Sequence, residues 1–205
     1  MQRRSFASEF EPLKNLQVWR FALYYFFVFG AFVALALWLP RYLIGVYGFD
    51  IKAAGMIGAV YSVPASIFRA YGGVLADKAG ARTVMYWTFA VSAVCTLILS
   101  MPAVGPWTLV VVIFVLGFFM SLGKAAVYKH IPVYYPENVG AVGGLVGMIG
   151  GLGGFVLPLV FGVLHDLTGL WSSCFMALFA VVAAALAWMH LAILRMEARA
   201  QVRAA

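Results

Sequence analysis

Six uninterrupted apolar runs decide what this chain can fold into. They cover Trp19–Tyr42, Lys52–Ala76, Thr83–Met101, Trp107–Tyr128, Gly140–Leu164 and Trp171–Leu194. A helix of about 20 residues crosses the roughly 30 Å hydrocarbon core of a bilayer. In hydrocarbon each backbone N–H and C=O must be satisfied within its own segment, which leaves helices or a closed barrel. Continuous runs, rather than short alternating strands, select helices. Composition agrees, with 65% apolar and only 10% charged residues and a mean hydropathy of +0.99. A soluble domain carries about a quarter charged residues. The expected fold class is therefore an all-α membrane protein, a six-transmembrane-helix bundle.

Breakers separate the runs: Pro40 with Gly45 and Gly48, the polar turn at 77–82, Pro102 with Pro106, Pro132 with Pro136, and the turn at 165–169. This divides the chain into an N-terminal tail (1–18), a transmembrane domain (19–194) and a C-terminal tail (195–205). Six spans put both termini on one side. Ten basic residues (Arg3, Arg4, Lys14, Arg20, Lys78, Arg82, Lys129, Arg195, Arg199 and Arg203) fall on that side, against Arg41 and Lys52 on the other. The positive-inside rule then places both termini in the cytoplasm, in a multi-pass protein of the cell inner (plasma) membrane. The first 18 residues show no short apolar core before a small-residue cleavage site, so no cleavable signal peptide is expected.

The net charge of +7 does not point to nucleic acid, because the basic residues sit at helix ends instead of in a patch with interleaved aromatics. Cys95 and Cys174 fall inside apolar runs and read as small buried residues. His130, His165 and His190 lie near run ends without ligand spacing, so neither a metal nor a cofactor is expected. No nucleophile–base grouping suggests an enzyme.

One residue conflicts with its surroundings. Arg69 lies inside the second run, and a guanidinium is always charged. Near the middle of a membrane helix it costs about 2.5–3.5 kcal/mol on insertion scales. No Asp or Glu falls within any of the six runs, so an anionic ligand in a wet cavity is the expected offset. Arg69 stands eight residues before Asp77, about 12 Å along a helix axis. Lys124, near the end of its run, either snorkels to the interface or assists Arg69.

Three motifs carry a resemblance. The second-to-third connection reads Gly73, Asp77, Lys78, Gly80 and Arg82 in the pattern G-x-x-x-D-K-x-G-x-R. A basic cytoplasmic loop explains part of it, yet the pattern also resembles the loop signature of the major facilitator superfamily. The fifth run places Gly140, Gly144, Gly147, Gly151 and Gly154 at steps of four, three, four and three, one helical face suited to close packing. Its segment 150–162, opening Gly150-Gly151-Leu152-Gly153-Gly154, resembles the nitrate signature of nitrate/nitrite porters, a branch of that superfamily. The stretches 62–73, around Arg69, and 124–132 are similar to the same branch. Their order matches the C-terminal six-helix half.

The resemblance implies a substrate-binding role for Arg69, with Tyr25 offering a hydroxyl and Phe29 and Phe119 aromatic faces. Gly150, Gly151, Gly153 and Gly154 would bring backbone to the anion, and Lys124 would add charge. It implies nitrate or nitrite transport by proton symport or nitrate/nitrite exchange. Family members have twelve helices, so the partner implied is an N-terminal six-helix half or a second copy. Two readings stand beside this one: a transporter half for another small anion, and a non-transporting truncated membrane protein.

Overall fold

The computed structural model describes residues 11–204. The expectations placed on Arg3 and Arg4 lie outside them. Six helices follow one another: α1 Leu16–Tyr47, α2 Ile51–Ala79, α3 Ala81–Leu99, α4 Pro106–Tyr134, α5 Val139–Thr168 and α6 Ser173–Ala204. Each is long and apolar enough to cross a membrane. The chain is a multi-pass membrane protein.

The helix starts follow local chemistry. The Asn15 side chain accepts from Gln17 N at 2.9 Å, and Asp50 Oδ1 accepts from Ala53 N at 2.7 Å. Each satisfies one of the amides a helix start leaves unpaired. Pro106 opens α4 at its first turn, where its missing N–H costs nothing. Gly48 and Gly169 end α1 and α5 at φ of 67° and 68°, a conformation that favours glycine.

The helices overrun the apolar runs. Pro40 and Pro132, expected as breakers, lie inside α1 and α4, and Pro64 and Pro158 lie inside α2 and α5. A proline deletes one helical bond, and packed neighbours and hydroxyls re-satisfy it within a membrane. Near Pro64, Ser62 and Ser66 donate to the Gly58 and Ser62 carbonyls at 2.9 and 2.8 Å, bonds separate from the Val60 carbonyl that the proline frees. Helix α6 continues past Leu194 into residues assigned above to a tail.

Sequence periodicity also missed a feature of α1. Residues Phe26–Ala31 form one widened π-helical turn. Such turns frequently sit at functional sites. Here the turn brings the backbone of Gly30 onto α5: a Cβ on Gly30 would stand 2.5 Å from Gly150 O and 2.8 Å from Gly153 Cα.

Two further contacts of this kind join α2 to α4. A Cβ on Gly72 would meet Leu122 Cα at 2.7 Å, and one on Gly117 would meet the Tyr61 ring at 2.8 Å. Between them Ser121 Oγ donates to the Ala65 carbonyl. Helix α3 joins α4 through Thr88 Oγ1, which donates to Phe119 O at 3.2 Å. It joins α6 through the Tyr86 hydroxyl, 2.9 Å from His190 Nδ1. Burial is uneven. Helix α1 buries 67% of its apolar window, α2 only 17%. The outward face of α2 carries Arg69.

Candidate functional site

Arg69 sits on the exposed side of α2, within electrostatic reach of the Tyr25 hydroxyl on α1 and of the like-charged Lys124 on α4, which it repels. Tyr25 is buried and stacks on Phe29, with centroids 5.1 Å apart and planes at 12°. Its ring meets Tyr128 edge-on at 4.9 Å. Lys124 is 4% exposed. Its Nζ stands 3.0 Å from the Phe32 ring centroid and 5.9 Å from that of Phe29.

The snorkelling reading of Lys124 fails for a geometric reason. Helix α4 runs ten residues beyond it, to Tyr134, roughly 15 Å at 1.5 Å per residue. The ammonium lies on aromatic faces instead, a cation–π arrangement. A buried cation without a carboxylate is costly, and among the described residues the ion pair found joins Lys129 to Asp77, away from this cluster. Lys124→Met keeps the side-chain length and removes that cost. It should stabilise the chain, because the desolvation cost of an unpaired cation exceeds the cation–π contact it loses, read as a higher melting temperature in detergent, while weakening any anion bound beside it.

The glycine stripe of α5 seats the tyrosines. A Cβ on Gly150 would come within 2.3 Å of Tyr25 Cδ1, and one on Gly147 within 2.8 Å of the Tyr128 hydroxyl. That hydroxyl donates to Gly143 O at 3.4 Å. Gly153 and Gly154 pack against Phe26 with Gly30 and against Val33. Gly140, Gly144 and Gly151 have no atom within 4 Å of a built Cβ. The packed face is therefore Gly143, Gly147, Gly150, Gly153 and Gly154, rotated from the expected one. The backbone contact between Gly30 and Gly150 sets that rotation. Of the four glycines named in the signature, Gly150 touches the cluster.

Phe119 is not brought there. It stands on another face of α4, its ring 5.4 Å from Phe118, in an apolar cleft with Tyr71 and Trp87. Conversely, Phe32 and Tyr128 belong to the cluster and were not singled out in the sequence. Tyr128 follows Lys124 by four residues, which places both on one helical face.

The loop motif holds the end of the bundle where α2 stops. Asp77 pairs with Lys129, a Cβ on Gly73 would meet the Lys129 stem at 3.9 Å, and Gly80 turns the chain at φ 83°. Lys78 and Arg82 are exposed. Because the paired side chains are 39% and 63% exposed, water screens the bond. Asp77→Asn should change stability by less than about 1 kcal/mol, a small shift in chemical denaturation, so any larger effect on transport would report a conformational role.

Residues 21–204 match the sequence profile of the Major Facilitator Superfamily. The chain is 43% identical to a probable nitrate/nitrite antiporter, NarK1, of Thermus thermophilus, over 95% of this chain and 48% of that protein. It is 33% identical to a nitrite extrusion protein of Bacillus subtilis, over 86% of this chain and 45% of the relative. With a probable nitrate transporter, NarT, of Staphylococcus haemolyticus the identity is 36%, over 80% and 42%. The chain spans about half the length of the curated relatives it matches.

Proposed function

The chain belongs to the major facilitator superfamily, and on that premise we propose that its six helices form one half of a secondary carrier for nitrate and nitrite in the cell inner membrane, with Arg69 holding the anion. The observation that carries this reading is the position of Arg69 on the least covered helix, beside the Tyr25 hydroxyl and the buried Lys124.

Each part has a chemical task. A planar guanidinium fork matches a flat oxyanion with two parallel N–H···O bonds, which an ammonium cannot do. The Tyr25 hydroxyl adds a donor, and the stacked Tyr25–Phe29 pair provides an apolar wall for a weakly hydrated ion. Lys124 supplies a second positive charge without competing for the fork. Gly150 makes the room in which Tyr25 lies. Phe119 takes no part.

Both termini face the cytoplasm in this reading, which puts the Asp77–Lys129 pair at the cytoplasmic end. There it fastens α2 to α4 and has to open as the halves rock around the site. Moving one anion inward against an inside-negative potential costs about 2.3 kcal/mol per 100 mV. Exchange of nitrate for nitrite cancels that cost, and a co-transported proton would also cancel it. For symport, Lys124 is the titratable group beside the anion.

A carrier that alternates by rocking two halves needs a second one. Liposomes loaded with nitrite and holding only monomeric chain should take up no nitrate. Co-reconstitution with the N-terminal six helices of the Thermus relative should start uptake. Uptake by the chain held as a monomer would refute the half-carrier reading, whereas uptake that needs two copies would make the second copy the partner half. An assembled pair that exchanges another small anion and ignores nitrate would refute the cargo.

A further inference from the structure

Where α1 begins, a cavity of about 410 Å³ opens between it and the stretch Trp188–Met196 of α6. Two arginines line it, Arg20 from α1 and Arg195 from α6, together with Gln17. No Asp or Glu lines it among the described residues. Arg20 also borders an adjoining cleft with Arg82 and His130, so positive charge continues past the cavity. Two donors in this region are unspent: Arg20 Nε and Gln17 Nε2 are buried without a hydrogen-bond partner among the described residues. The Arg20 guanidinium lies over the Phe21 ring at 5.7 Å, a contact that uses none of its N–H bonds.

The rest of the wall is apolar. Trp188 forms one side, and Leu16 and Leu191, 65% and 52% exposed, form the outer rim. Paired guanidinium forks suit a phosphate. A free phosphate would leave the leucine rim bare, whereas a phospholipid covers it with acyl chain. Basic pockets between membrane helices on the cytoplasmic side suit anionic headgroups.

We propose that the cavity between α1 and α6 holds the headgroup phosphate of an anionic phospholipid, gripped by Arg20 and Arg195 with the acyl chains lying over Leu16 and Leu191. The bound lipid ties the first helix to the last. The site is separate from the Arg69 cluster, and the inference does not rest on the identity of the transported ion.

The test is lipid binding by the full chain, followed by native mass spectrometry and by melting in phosphatidylcholine micelles titrated with phosphatidylglycerol. Phosphatidylglycerol should be retained in preference to phosphatidylcholine. R20Q/R195Q should lower its affinity by about tenfold or more, while R41Q/K52Q, which removes the same charge at the opposite end, should leave it unchanged. Equal retention of the two lipids would overturn the proposal. So would an equal loss in both double variants, or inorganic phosphate alone reproducing the whole stabilisation. If R20Q/R195Q does not fold, the lipid preference and the phosphate comparison on the unmodified chain decide the matter.

Discussion

Arg69→Lys should lower the nitrate affinity of the assembled carrier by about a hundredfold. The substitution keeps the charge and removes the fork. One of two charge-assisted hydrogen bonds is lost, each worth about 1.5–3 kcal/mol, and 2.7 kcal/mol is a factor of a hundred. Arg69→Gln removes the charge as well and should abolish measurable uptake. Neither change should disturb the fold, because Arg69 is exposed on α2 and exposed substitutions usually stay within about 0.5 kcal/mol. Equilibrium binding of nitrate beside a melting curve separates the two effects. An Arg69→Lys carrier that binds nitrate normally would remove the fork from the account. A collapsed melting curve in Arg69→Gln would make the residue structural.

Gly30→Val should produce the largest loss of stability. Its Cβ would stand 2.5 Å from Gly150 O and 2.8 Å from Gly153 Cα. Both are backbone atoms, so no side chain can rotate away and α1 must lift off α5. Overpacking costs about 1–3 kcal/mol where neighbours can relax, and here about 3 kcal/mol or more is expected. Tyr25 rides on the same helix, so anion binding should fail with the fold. Gly151→Ala is the matched control. A Cβ there meets nothing within 4 Å, and helix propensity alone should stabilise the chain by up to about 1 kcal/mol. Melting temperatures that moved in the same direction for both variants would contradict the backbone contact.

Much of this molecule is legible in its sequence because the lipid requirement is severe. Twenty apolar residues in a row leave a helix as the remaining choice, and the family match agrees with the loop motif at Gly73, Asp77 and Arg82. Helix ends were less legible, because Pro40 and Pro132 act as breakers in water and are absorbed inside a packed membrane bundle. The π turn at Phe26–Ala31 has no signal in apolar periodicity. It places Gly30 against Gly150, a contact between residues far apart in sequence.

The candidate site divides in the same way. Arg69 stands out because charge in hydrocarbon demands an explanation. The glycine face was misread by a rotation: the four-three spacing fits two overlapping stripes, and only the packing against Tyr25 and Tyr128 distinguishes them. Phe119 and Lys124 are five residues apart, which sets them on well-separated faces of α4. Tyr128, by contrast, lies one helical turn from Lys124 and was within reach of the same arithmetic.

The most direct measurement concerns what the Arg69 face of α2 touches. Ser66 is exposed one turn before Arg69, and both native cysteines are buried, so Ser66→Cys gives a single reactive thiol. In membranes holding the assembled carrier, a water-soluble methanethiosulfonate should label it, and nitrate should slow the labelling in the Arg69 protein but not in Arg69→Gln. A thiol that reacts with a lipid-soluble maleimide alone, at a rate nitrate does not change, would place this face against acyl chains and contradict the account.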